Sequence, residues 1–107
     1  LVAFQKQVKT VHVDPNIGKY IINIVNKTRE DQRLDLGLSP RSAIAMMHCA
    51  QSRACIQNRD HITPDDVKFL APYVFAHRLI PKRKTDKSTQ VKKMILLEIL
   101  DQIKAPV

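Results

Sequence analysis

The sequence predicts an all-α fold, a small helical bundle of about four main helices, and three observations carry that prediction. A capping residue stands directly before proline three times, at Asp14-Pro15, Ser39-Pro40 and Thr63-Pro64. Such a pair marks a helix start, because proline at the first helical position has no N–H to lose, while the preceding side chain accepts from the exposed first-turn amides. Apolar residues after each mark recur at helical spacing. Apart from Val11 to Val13, which amounts to a short extended linker, no alternating run of useful length speaks for a strand.

The first helix is expected near 15–27, where Ile17, Tyr20, Ile21, Ile24 and Val25 form one apolar stripe that must pack on something. The second, 40–57, carries Ala43, Ile44, Ala45, Met46, Met47, Cys49, Ala50, Ala54, Cys55 and Ile56. Apolar side chains surround much of its first half, so it reads as the central helix. After an Asn58-Arg59-Asp60 turn, Thr63 caps the third helix, 64–78, with Asp65 and Asp66 in its first turn, where carboxylates favour the positive end of the dipole. Val67, Leu70, Ala71, Val74 and Phe75 supply its buried face, and Pro72 is expected to kink or restart it. Pro81 to Lys87 reads as a basic connecting loop. Ser88 then caps a last helix, 89–104, whose apolar side is Val91, Met94, Ile95, Leu96, Ile99, Leu100 and Ile103, with Pro106 ending it.

A chain of 107 residues with 44% hydrophobic and 26% charged residues fits a single domain, 1–107. Eighteen basic against ten acidic side chains give a net charge of +8, which directs attention to an anionic partner. The two glycines, Gly18 and Gly37, cannot spell G-x-x-x-x-G-K-[ST] or G-x-G-x-x-G, so the chain contains neither phosphate-cradling loop. Cys49 and Cys55 are six apart in one predicted helix, about 9 Å of rise, beyond disulfide reach. They read as buried free thiols in a reducing compartment. No apolar run approaches the roughly 20 residues that span a bilayer, and the opening LVAFQKQVK is too short and mixed for a signal peptide. A cytoplasmic location without a membrane partner is therefore expected. The lack of an initiator Met suggests a piece of a longer protein.

Among residues that could carry chemistry, Arg41 stands out. It occupies the second position of the helix opened by Ser39-Pro40, where a cation faces the positive end of the helix dipole, unfavourable by some tenths of a kcal/mol, roughly, unless something anionic offsets it. Unpaired first-turn amides beside a guanidinium make a phosphate receptor, with two oxygens held at once. The alternative is that Arg41 extends into water or pairs with Asp35 or Glu30. No metal site is expected, since the only soft-ligand cluster, His48, Cys49, Cys55 and His61, lacks facing geometry. The cysteines read as inert core residues rather than nucleophiles. His77 and Arg78 could satisfy the last carbonyls of the third helix. The basic run Lys82, Arg83, Lys84, Lys87, Lys92 and Lys93 could contact nucleic acid, but no aromatic interleaves it, which favours a solvated surface.

The run from Gly37 to Leu79, GLSPRSAIAMMHCAQSRACIQNRDHITPDDVKFLAPYVFAHRL, closely resembles the C-terminal lid of MoxR-type AAA+ ATPases. In that family a small residue and Ser-Pro-Arg open a helix, a turn ending Gly-Arg-Asp follows, then Thr-Pro-Asp/Glu-Asp-Val, then His-Arg. The one departure is Asn58 in place of the usual Gly, a swap that the left-handed turn conformation tolerates. Tyr20-Ile21 and Thr28-Arg29 look like the family's upstream signals, and the tail from Ser88 to Pro106 is similar to its last helix.

The resemblance implies a helical lid that packs beside a P-loop ATPase core and closes over ATP, with ATP and Mg²⁺ bound mainly by that core. Arg41 falls on the sensor 2 position, which reaches the γ-phosphate; Ser39 and Pro40 would flank it, and Tyr20 and Ile21 would border the adenine or simply pack. It further implies an enzymatic parent, an ATPase, of which this fragment alone is inactive. It also implies a hexamer, von Willebrand factor A-domain partners and chaperone-like assembly or maturation of protein complexes. The competing class is a basic helical nucleic-acid-binding module; with the lid reading, nucleic acid is not an expected partner.

Overall fold

The computed structural model describes residues 10–82 and 89–106. In chain order these form helix α1 (Pro15–Glu30), strand β1 (Leu34–Leu36), α2 (Pro40–Ile56), α3 (Pro64–Val74), a 3-10 turn at Ala76–Arg78, β2 (Ile80–Pro81) and α4 (Thr89–Gln102). The fold is thus a small all-α bundle with a minimal two-stranded sheet. All three helices predicted from a cap and proline start at the proline.

The core forms where the four helices meet. The predicted stripe of α1 is buried throughout, and α2 contributes Ala43, Met46, Ala50 and Ala54. Three of those four side chains are small, with Met46 the large one, and α3 lays Val67 and Ala71 against the same core. Ile95, Leu96, Ile99 and Leu100 of α4 complete it.

Several expectations are corrected. Helix α2 is not buried all round: Ile44 is 54% exposed, and Cys49 is an exposed free thiol rather than a core cysteine, while Cys55 is a half-buried free thiol packed against the core. Its buried positions follow one narrow stripe, and Ile44 and Cys49 fall outside it. Met94, placed on the apolar side of the last helix, is exposed as well. Helix α1 continues past Lys27 to Glu30, with Lys27 and Arg29 in a last turn that favours cations, and α4 ends at Gln102 rather than near 104.

Pro72 does not itself break α3, which ends two residues later. The Phe75 N–H still bonds the Ala71 carbonyl at 2.9 Å, and the chain then tightens into the 3-10 turn, so the predicted 64–78 helix is two pieces divided at Phe75. Pro81 is not loop but the partner of Leu34 in an antiparallel pair, with Ile80 opposite Leu36. The Ser88 cap and the loop residues 83–87 lie outside the described residues.

One buried charge holds the far end of α2. Asp66 has no exposed surface, and its carboxylate accepts from Arg53 at 2.5 Å, from Arg59 at 2.6 and 2.9 Å and from the Thr63 N–H at 2.8 Å. The Thr63 bond is the reciprocal half of a capping box. Arg59 reaches Asp66 because Asn58 takes a left-handed φ of 59° and turns the chain back, as the sequence allowed. Burial alone would raise the Asp66 pKa, but the bonds from Arg59, Thr63 and Arg53 outweigh it and hold it at about 2.

A carboxyl group with a folded pKa below its unfolded value stabilises the fold at neutral pH, and that contribution disappears as the pH falls through 4 towards 2. Asp66→Ala would leave two half-buried guanidinium groups without their anion. It is expected to cost about 2–4 kcal/mol, read as a melting temperature about 10 °C or more lower, and to flatten acid denaturation over that window. A variant that melts with the parent chain would contradict this.

Candidate functional site

The start of α2 is where backbone geometry and charge converge. Thr28, in the last turn of α1, has no exposed surface. Its hydroxyl donates to the Val25 carbonyl at 2.6 Å and accepts from the Leu38 N–H at 3.0 Å. That second bond ties the segment entering α2 to the flank of α1. The approach is close enough to require glycine: a Cβ on Gly37 would lie 2.7 Å from the Thr28 carbonyl carbon and oxygen and from the Arg29 nitrogen. Buried Leu38 follows, and Ser39 and Pro40 open the helix.

A second tether comes from the other side. Ser42, in the first turn of α2 and almost fully buried, accepts a long hydrogen bond of 3.4 Å from the Arg78 guanidinium. Arg78 therefore reaches back to α2, instead of serving only the end of its own helix as the sequence suggested.

Arg41 projects from this clamped turn and is exposed. Among the described residues no carboxylate pairs with it, so the alternative partners Asp35 and Glu30 are not used. The Ser39 hydroxyl does not cap the helix, which departs from the expectation for all three cap residues. The Ser42 N–H goes to the Ser39 carbonyl at 2.9 Å, and the Arg41 N–H takes no partner among the described residues. An uncommitted amide, a hydroxyl and a guanidinium thus share one helix N-terminus, the donor set that suits a phosphate oxygen. A cavity of about 240 Å³ lies alongside, lined by Arg29, Asp35, Gly37, Ser39 and Pro40 among others.

Beside this turn an apolar groove of about 460 Å³ runs between α1 and α2, lined by Gly18, Ile21, Ile22, Ala43, Ile44 and Met47, with Lys19 and Asn23 at its edge. Ile44 stands one helical turn from Arg41, so the groove and the guanidinium adjoin. Ile21 therefore reaches the groove. Tyr20 does not line it: the ring is buried in the core, its hydroxyl has no hydrogen-bond partner among the described residues, and burial pushes its pKa up. His48, Cys49, Cys55 and His61 are not drawn together, and among the described residues no three His, Cys, Asp or Glu side chains gather as metal ligands.

Sequence reasoning found Arg41, Ser39 and Pro40, which the structure places in one turn. It missed the clamp, although Thr28 and Gly37 were both visible, because a side chain bonding ten residues ahead leaves no periodic signal. The clamp is directly testable. Thr28→Val leaves the Leu38 N–H buried without its acceptor and is expected to cost about 1–3 kcal/mol, whereas Thr28→Ser keeps the hydroxyl and most of the stability. Chemical denaturation of both variants checks this, and equal losses would rule out the hydrogen bond as the cause.

Comparison with known proteins places the fold in a family. The AAA lid domain family matches residues 26–95. The uncharacterised protein YeaC of Bacillus subtilis (strain 168) is 38% identical over 103 residues, covering 96% of this chain and 32% of that protein. The chaperone MoxR1 of Mycobacterium tuberculosis (strain ATCC 25618 / H37Rv) is 31% identical over 70 residues, 57% of this chain and 19% of the relative. A solved structure from Cytophaga hutchinsonii ATCC 33406, assigned as an ATPase, superposes with a TM-score of 0.85 at 26% identity, over 95% of this chain and 34% of that one. The chain spans about a third or less of the length of these proteins. It belongs to the AAA lid domain family, as a lid of a MoxR-like AAA+ ATPase.

Proposed function

We propose that this lid closes over ATP held by a P-loop core and that Arg41 is its sensor 2 residue, meeting the γ-phosphate. The observation that carries the reading is the Arg41 guanidinium beside a first-turn amide, both without a partner among the described residues, on a helix start clamped by Thr28 and Gly37. A rigid mount matters because electrostatic stabilisation works when donors are in place before charge develops. Arg41 offers two parallel N–H donors to phosphate oxygens, and the α2 N-terminus adds its partial positive charge. The groove wall of Ile21, Ile22, Ala43, Ile44 and Met47 supplies an apolar surface for the adenine, with Tyr20 buried in the core rather than touching it.

Mg²⁺ in this reading neutralises charge between the phosphates and is bound, like most of the nucleotide, by the core. The lid alone has one arginine and one helix N-terminus for a phosphate chain, so it is expected to be inactive and to bind ATP weakly. In the complete ATPase, lid movement would couple nucleotide state to a conformational change. A hexameric parent in the cytoplasm, von Willebrand factor A-domain partners and chaperone-like work on protein complexes belong to the same proposal. The name of the mycobacterial relative supports the chaperone part. Among the described residues no helix is long and apolar enough to cross a membrane.

The test is Arg41→Ala in the complete ATPase. Hydrolysis is expected to fall roughly 10–1,000-fold, more than nucleotide affinity does, because the lost contact strengthens as charge develops in the transition state. Arg41→Lys is expected to rescue only in part, since it keeps the charge without the fork. The isolated chain should melt within a few degrees of its parent, an exposed first-turn cation adding little to folding. An unchanged hydrolysis rate, or an unfolded lid, would overturn the assignment.

A further inference from the structure

Two aromatic rings on α3 are left outside the core. Phe69 is 53% exposed and Tyr73 61% exposed, while Val67, Ala71 and Phe75 of the same segment are fully buried. Phe69 and Tyr73 are one turn apart and their ring centroids lie 5.9 Å from each other, tilted by 41°. Each carries a cation from a different helix. The Arg53 guanidinium of α2 sits 4.3 Å from the Phe69 centroid, anchored there by Asp66, and the Lys93 ammonium of α4 sits 5.9 Å from the Tyr73 centroid.

Three lysines make this surface electropositive, while Arg53 is itself paired with Asp66. Lys68 precedes Phe69 and Lys92 precedes Lys93, and among the described residues no carboxylate pairs with Lys68, Lys92 or Lys93. Asp65, one turn before Phe69, is the acidic residue on the same stripe of α3. The basic run lacks aromatic residues in sequence; the fold supplies them by bringing Lys93 onto Tyr73.

We propose that Phe69 and Tyr73, flanked by Arg53 and Lys93, form a contact surface for single-stranded nucleic acid. Arg53 and Lys93 each sit over one face of a ring, so a base stacks on the opposite face while its phosphate lies near a cation, the repeating chemistry that two exposed rings with positive groups match. The tilt between the rings suits bases that are splayed apart, and a duplex keeps its base faces inside the stack. Arg53 lies twelve residues along α2 from Arg41, about 18 Å of rise, so this surface is separate from the proposed nucleotide site and stands or falls without it. An acidic protein segment would answer the charge, but it would not require the planar ring faces.

The experiment measures binding of a fluorescein-labelled 15-residue oligo-dT to the 107-residue chain by fluorescence anisotropy. The double variant Phe69→Leu, Tyr73→Leu removes both rings and keeps every charge; because the rings are exposed, its melting temperature should stay close to that of the parent. Its affinity is expected to be about tenfold lower or worse, while Tyr73→Phe, which keeps a ring, binds like the parent chain. A 15-base-pair duplex should bind about tenfold more weakly than the single strand. The proposal is overturned if the parent chain does not bind the oligonucleotide, or if the double variant binds it unchanged. It is equally overturned if the duplex binds as well as the strand, or if poly-L-glutamate at matched charge displaces the strand as effectively as unlabelled oligo-dT, which would identify an acidic chain as the occupant.

Discussion

The hydroxyl of Thr28 links the end of α1 to the beginning of α2, donating to Val25 behind it and accepting from Leu38 ahead of it, in a place with no access to solvent. The Leu38 bond could not form if the incoming chain stood further away, and it comes this close only because Gly37 has no Cβ to meet the Thr28 carbonyl. The direction and position of the α2 N-terminus follow from that contact. The guanidinium of Arg41 and an amide without a partner among the described residues are mounted on the turn so placed, and the α2 side of the groove wall continues from it. The clamp is short-ranged and buried, so its geometry depends little on salt or on the exposed side chains around it.

The other end of α2 is held by a different kind of force. Asp66 gathers Arg53 and Arg59 and closes the start of α3, which fixes the angle at which α3 leaves α2. Removing any one partner would leave a charge poorly compensated, so the group works as a unit rather than as separate pairs. With both ends fixed by polar contacts, α2 packs through the small residues Ala43, Ala50 and Ala54 and one large side chain, Met46. Arg53 also places its guanidinium over Phe69, so the same anchor orders the exposed aromatic surface.

Much of this was legible in the sequence because it is local. Three proline-marked starts, the α1 stripe and the buried face of α3 follow from cap chemistry and a 3.6-residue period, and the ordered Ser-Pro-Arg, Arg-Asp, Thr-Pro-Asp-Asp and His-Arg signals pointed to the lid family. What stayed hidden is non-local. A helix with apolar residues on most sides does not disclose which of them face the core, so Cys49 and Ile44 were misread and the stripe through Met46 and Ala50 was not separated from them. The pairing of Leu34–Leu36 with Ile80–Pro81 joins three residues to two across more than forty positions, too short for any alternation to register. Arg41 could be singled out because a cation at a helix N-terminus is a local conflict, whereas the ring of Tyr73 under Lys93 exists only once α3 and α4 have packed.

The central claim is that a clamped helix start presents Arg41 to a phosphate, and the most direct measurement is a structure of the complete ATPase with a non-hydrolysable ATP analogue. The account predicts an Arg41 nitrogen within about 3 Å of a γ-phosphate oxygen, with the Thr28 to Leu38 bond and the close passage of Gly37 intact. It is contradicted if Arg41 points into solvent or pairs with a carboxylate in that complex while another residue of the lid meets the γ-phosphate.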